Sequence, residues 1–493
     1  MKEMEMRMEK SKWLIRLLVL LLFFLINKHA GYGQTIVDKF NPLIEQGEFT
    51  QAQTAMRHEL AENLSLSSSD RLALAFELER LDRIRKDFTA TAEEVKQFIQ
   101  KYIPEVSETD LARWEKQKSL EVMTIDGHKC YFKHATANLF RIDATARKRK
   151  LEYHQRNRIA TSAGFAYEKH AQQIIAASQK SGVKWVEPKR FRITYTLTVK
   201  PDQVPDGEVI RAWLPYPREG NRRQGSIELH RTSPAQHLIA DNERFKQRTL
   251  YLEQTSQSGQ PTTFAYSVSF TTYAEYQGIE PTQVQPYDTR SALYRHYTRE
   301  QPPHIVFTPE LRTLSKQIIG DESNPYLKAK KIFTWVDGQV PWASAREYST
   351  IRNLSLYAYE NKHGDCGMQT LLFMTLARMN GIPVHWQSGF DLKPQEENLH
   401  DWCEMYLEPY GWVLVDQSYG IKHSSDERVK WFCLGSADAY RWIVNDDFSQ
   451  PLFPLKIFPR SETVDFQRGE VEWRGGNLYF DAWDYSWNIE RLD

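Results

Sequence analysis

The stretch "HGDCGMQTLLFMTLARMNGIPVHW", residues 363–386, decides how this chain is read. Asp365 is a favoured N-cap residue, so a helix opens at Cys366. Leu371, Leu372, Met374, Thr375 and Met379 make that helix amphipathic or fully buried. Asn380-Gly381 supplies its stop, and Pro383 prevents continuation. Cys366 then stands at the first helical position, where the macrodipole and the unpaired N–H groups favour an anion. A thiolate so placed can have its pKa lowered from about 8.5 to roughly 3.5–7.5. Gly364 and Gly367 leave room for a carbonyl group to approach. The competing reading is packing, because free cysteines are among the most buried residues.

A nucleophile needs a base. Downstream, "HDWCEMYLEPYGWVLVD" (residues 400–416) alternates as two strands around a turn at Pro409-Tyr410-Gly411. His400, Trp402, Glu404 and Tyr406 share one face of the first strand. Trp412, Leu414 and Asp416 share a face of the second. A turn centred on Pro409 sets Trp402 opposite Asp416, with His400 its diagonal neighbour on the same face. That places a carboxylate where it can fix the imidazole tautomer and stabilise its charge.

These two stretches together resemble the core of the transglutaminase-like superfamily. The Gly-x-Cys at a helix start, the Gly-Ile-Pro stop, the His-x-Trp strand and the Gly-Trp…Asp strand occur in order. The resemblance implies a papain-like α+β fold and a triad of Cys366, His400 and Asp416. It also implies thiol-dependent acyl transfer on a protein or peptide substrate, without cofactor or metal. An aromatic or amide side chain upstream often completes the oxyanion hole in this family, which nominates Gln339 and Trp342. Hydrolysis of peptide or isopeptide amides is the preferred outcome, since water is abundant and its exclusion needs a tunnel. No calcium loop of the D-x-[DN]-x-[DN]-G type is present, which disfavours a calcium-activated crosslinker. A protein-crosslinking transglutaminase and a catalytically silent binding module are the alternatives.

Outward from this core, the 493 residues suggest several domains. Residues 1–33 read as a signal peptide. Lys10, Lys12 and Arg16 precede an apolar run from Leu17 to Ile26, too short for a membrane span of about 20 residues. Small residues Gly31 and Gly33 favour cleavage before Gln34. The expected location is secreted or periplasmic, with no stable membrane span after cleavage. Residues 34–185 read as helical. In them Leu72, Leu74, Phe76, Leu78 and Leu81 form an apolar side, and Asp126-Gly127 marks a hairpin. Residues 186–287 read as an antiparallel β-domain, opened by alternating Phe191, Ile193, Tyr195 and Leu197. Residues 288–460 form the transglutaminase-like core. Residues 461–493 read as a C-terminal hairpin, turning at Gly475-Gly476 and packed on that core.

The formal net charge is zero, from 64 Lys/Arg and 64 Asp/Glu. This argues against nucleic acid as a partner. The basic run Ala146 to Arg158 reads as a solvated helix face. An oxidising compartment and four cysteines leave a Cys403–Cys433 disulfide open. Cys403 faces away from His400 and reads as core. A zinc site from Cys403, His423 and Cys433 fits no known spacing.

Overall fold

The structure is a computed structural model that describes residues 35–159 and 164–492, so the expected leader at 1–33 lies outside the described residues. The chain divides into two compact units: residues up to 92 with 122–132, and residues 93–121 with 133 onward. The boundary between them falls inside the region read as helical at 34–185.

In the first unit, helices α1 (Phe49–Glu62) and α2 (Ser68–Asp87) accompany a hairpin of β1 (Val122–Ile125) and β2 (His128–Tyr131). Ser67 caps α2 by accepting a hydrogen bond from the Asp70 amide. The hairpin turns at Asp126-Gly127, both at positive φ, as a two-residue loop of Asn/Asp-Gly type requires. The Asp126 carboxylate accepts from the Thr50 amide at 2.8 Å and pairs with Arg85. Of the expected apolar side of α2, Leu74 and Leu81 are buried, but Leu72 is 41% exposed. Positions 72, 74, 76 and 78 recur every two residues, and a helix cannot bring that spacing to one face.

In the second unit, α3 (Ala92–Gln100), α4 (Glu108–Lys116), α5 (Ala135–Ile142), α6 (Ala144–Arg156) and α7 (Tyr167–Ser181) precede the β-domain. Helix α6 carries the basic run and buries only Ala146, as a solvated face should. The β-domain stacks two antiparallel sheets. Its first strand is β3 (Trp185–Val199), and Phe191, Ile193, Tyr195 and Leu197 are all fully buried. The other strands are β4 (Val209–Pro215), β5 (Gln224–Ser233), β6 (Leu238–Ile239), β7 (Thr249–Thr255) and β8 (Thr262–Glu275).

After the β-domain come helices α8 (Pro309–Ile319), α9 (Pro325–Gln339), α10 (Leu354–Asn361) and α11 (Cys366–Met379). The strands that follow are β9 (Val384–Asp391), β10 (Asn398–Leu407), β11 (Gly411–Val415) and β12 (Arg441–Asn445), ordered β11-β10-β9-β12 and all antiparallel. Helix α11 is buried from Gly367 to Arg378 and shares one core with Trp386, Cys403, Met405, Val413 and Val415 of that sheet. The fold class is α+β.

The C-terminal residues form β13 (Glu470–Trp473), β14 (Gly476–Leu478) and β15 (Trp483–Arg491). β13 pairs with β4, and β15 pairs with β3 from Trp483↔Val199 to Arg491↔Phe191. The expected hairpin is present as β13 and β14, but it and β15 complete both sheets of the β-domain. Edge strands need covering or pairing, and the tail closes β3 and β4.

Candidate functional site

Helix α11 begins where the sequence places its start. Asp365 is extended (φ −85°, ψ −168°) and its carboxylate accepts from the Met368 amide at 3.1 Å. Cys366 is the first helical residue, and it is half-buried.

The strand register also follows the sequence. β10 and β11 pair Cys403↔Val415, Glu404↔Leu414 and Tyr406↔Trp412, so the next step sets Trp402 opposite Asp416. His400 Nε2 lies 2.9 Å from Asp416 Oδ2, and both residues are buried. Asp416 has further support. Arg441 Nη2 lies 2.7 Å from Oδ2, and the Tyr419 amide donates to Oδ1 at 3.2 Å. Burial opposes ionisation of Asp416, but the charges of His400 and Arg441 overcome it and hold its pKa at about 2. An ionised Asp416 assigns the hydrogen to His400 Nε2, which leaves Nδ1 as the basic nitrogen. The Tyr419 ring packs edge-on against the imidazole at 5.2 Å, and Tyr167 of α7 stacks on Tyr419 at 5.1 Å.

The thiol differs from expectation. Among the described residues its hydrogen-bond partner is Asp401, not His400: Cys366 Sγ donates to Asp401 Oδ2 at 3.4 Å. Asp401 follows His400 on β10, so the two side chains leave the strand on opposite faces. Gln467 Nε2 bridges both residues, donating to Asp401 Oδ1 at 2.8 Å and to the His400 carbonyl at 2.9 Å. Tyr348 Oη donates to Asp365 Oδ1 at 2.7 Å and lies 3.3 Å from Asp401 Oδ2. Burial and then the Asp401 and Asp365 carboxylates push the Cys366 thiol well above its ordinary pKa. Burial, and after it the two carboxylates, thus oppose the lowering expected from the helix start. Burial likewise raises Asp365 to about 6, and burial with the Asp365 charge raises Asp401 well above the carboxylate range.

Gly367 is corrected too. Its missing side chain leaves room for Tyr348 and Asp401 rather than for a substrate: a Cβ there would sit 2.2 Å from Tyr348 Oη and 2.7 Å from Asp401 Oδ2. Of the two upstream oxyanion candidates, Gln339 ends α9 and is exposed. Trp342 forms a parallel bridge with Gly364, two residues before the thiol, and is 39% exposed. Its loop is held by α5. Asn138 Nδ2 donates to the Ser344 carbonyl and Asn138 Oδ1 accepts from the Ser344 amide, both at 2.8 Å, while Arg141 stacks over Trp342 at 4.6 Å.

Cys403 and Cys433 are buried free thiols. Asp401 adjoins His400 in the sequence and was legible as a second carboxylate at the site. Gln467 and Arg441, arriving from distant segments, had no local signal.

Over 129 residues the chain is 22% identical to the uncharacterized protein YebA of Bacillus subtilis (strain 168), a match covering 22% of this chain and 18% of that protein. A candidate cysteine protease from Cytophaga hutchinsonii superposes with a TM-score of 0.42 at 14% identity, covering 63% of this chain and 92% of that one. The periplasmic domain of TgpA from Pseudomonas aeruginosa gives a TM-score of 0.24 at 14% identity, covering 56% and 99%. The sequence model of the transglutaminase-like superfamily matches residues 312–417, a span that contains Cys366, His400 and Asp416. Residues 312–417 are therefore a transglutaminase-like domain.

Proposed function

We propose that this chain is a thiol-dependent acyl-transfer enzyme that hydrolyses peptide or isopeptide amide bonds outside the cytoplasm. The export rests on the apolar run at 17–26, the chemistry on the site. Cys366 is the nucleophile, His400 the base and Asp416 the residue that orients it. The observation that carries the reading is the His400–Asp416 contact at 2.9 Å, which leaves Nδ1 basic beside a domain whose thiol opens a helix. In the reaction, Nδ1 takes the Cys366 proton and Sγ attacks the amide carbon. The carbonyl oxygen becomes an oxyanion, to which the Cys366 amide at the helix start can donate. Collapse breaks the C–N bond, and the imidazolium returns the proton to the leaving amine. Water, deprotonated by His400, then cleaves the thioester to a carboxylate and regenerates the thiol.

The bond between Cys366 and Asp401 favours a second reading, a silent scaffold whose thiol never ionises. Amine release from peptide and isopeptide substrates separates the two. Turnover that vanishes in Cys366→Ala, and falls by about 10²–10⁴ in His400→Ala, is expected for the enzyme. Absence of any Cys366-dependent turnover in the wild-type chain would favour the scaffold. Incorporation of an added amine in place of hydrolysis would identify crosslinking.

A further inference from the structure

The carboxylate that touches the thiol is not the one that orients the base. Asp416 lies among cations: Arg441 at 2.7 Å, with Lys393 buried nearby against Asp391. Asp401 lies among acids. Asp365 reaches it through Tyr348, with both carboxylates within 3.3 Å of one hydroxyl. Asp465 and Glu462, from the segment that carries Gln467, are buried and act on Asp401 or on each other. The cation of that segment, Arg468, is taken up by Glu347 at 2.7 Å and Glu462 at 2.9 Å. Among the described residues, the thiol's hydrogen-bond partner is Asp401, and Tyr348 links that carboxyl to Asp365.

We infer that Asp401 is a positioning residue that holds the Cys366 thiol protonated until substrate displaces the contact between them. The inference rests on the reading of Cys366 as a nucleophile. The bond at 3.4 Å fixes the sulfur's proton toward Oδ2. Gln467 fixes the carboxylate by its other oxygen, so Asp401 cannot swing aside without losing that bond. A thiolate formed here would add a negative charge beside the Asp401 and Asp365 carboxyls, which share one tyrosine hydroxyl, at an energetic cost that water does not screen. An arriving acyl group that takes the place of the Asp401 contact frees the S–H from that carboxyl. No atom is gained or lost in this step; only the partner of the S–H changes.

The test reads the thiol without needing a substrate. Iodoacetamide alkylation of Cys366 in the full chain, located by mass spectrometry, is followed from pH 5 to 10, with Cys130 as internal reference. Asp401→Asn keeps the shape and removes the charge, and Asp401→Ala serves if the amide disturbs folding. Alkylation follows the thiolate fraction. Both variants are expected to titrate at least about one pH unit lower and to alkylate at least about ten-fold faster at pH 7, with Cys130 unchanged. A profile within two-fold of wild type overturns the inference, and slower alkylation would make Asp401 the base instead. Asp401→Asn/His400→Ala separates this outcome from the parent reading. If His400→Ala leaves the freed thiol's profile unmoved, the base assignment fails while the role of Asp401 stands.

Discussion

The two ends of the His400–Asp401 dipeptide lie in opposite electrostatic surroundings. On one side Asp416 is ringed by His400, Arg441 and the Tyr419 amide, and it stays ionised. On the other side Asp365 and Asp401 share a tyrosine hydroxyl and resist ionisation. One strand step separates a carboxylate environment built to be anionic from one built to be neutral. Burial is common to both, so the difference lies in the partners, not in desolvation.

The largest expected effect comes from removing the cation of the first side. Arg441 is 1% exposed and pairs with Asp416 and with Asp438 at 3.1 Å. Arg441→Met strands those carboxylates and should cost about 3–5 kcal/mol in urea unfolding, the usual loss when one partner of a buried pair is removed. A loss below about 1 kcal/mol would mean that the ring of charges does not depend on it.

A smaller effect probes the packing of the acidic side. Gly367→Ala would normally gain stability inside a helix. Here the new methyl meets Tyr348 Oη at 2.2 Å, so a net loss of about 1–3 kcal/mol is expected, with Tyr348→Phe partly restoring it. A gain instead would show that Tyr348 can retreat without consequence.

The smallest effect compares the two sides by pH. Asp416, depressed to about 2, contributes stability that is present above its unfolded pKa and is lost as pH falls through about 2. Asp365, raised to about 6, binds its proton more tightly when folded, so stability falls as pH rises from about 4 to 6. Asp365→Asn retains a good N-cap and should flatten that second slope. Melting temperatures from pH 3 to 7 would show it, and an unchanged slope would remove Asp365 as its source.

Much of this was written in local sequence. The Pro409-Tyr410-Gly411 turn set the β10–β11 register, and with it the His400–Asp416 contact. Asp365 and Asn380-Gly381 bounded the thiol helix. What escaped came from far along the chain or from a misread period. Gln467 reaches Asp401 from 66 residues away, and Arg441 arrives on a strand that pairs with β9. The tail's alternation said strand but not which sheet would receive it. Leu72 was counted with Leu74 although a helix sets them about 200° apart. The Cys366 thiol was judged by its helix alone, and the opposing charge belongs to the strand packed beneath it.

The clasp of Asn138 on Ser344 bears on where this domain can be cut. One carboxamide satisfies both backbone groups of that residue, as a neighbouring strand would. The partner it supplies to the loop beside Gly364 lies outside the 312–417 match, 206 positions upstream of Ser344. A fragment excised at the family's bounds would carry Cys366, His400 and Asp416 yet leave that loop with two orphaned amide groups and Trp342 without its arginine cover. The smallest autonomous piece that keeps this wall intact therefore has to begin before Ala135.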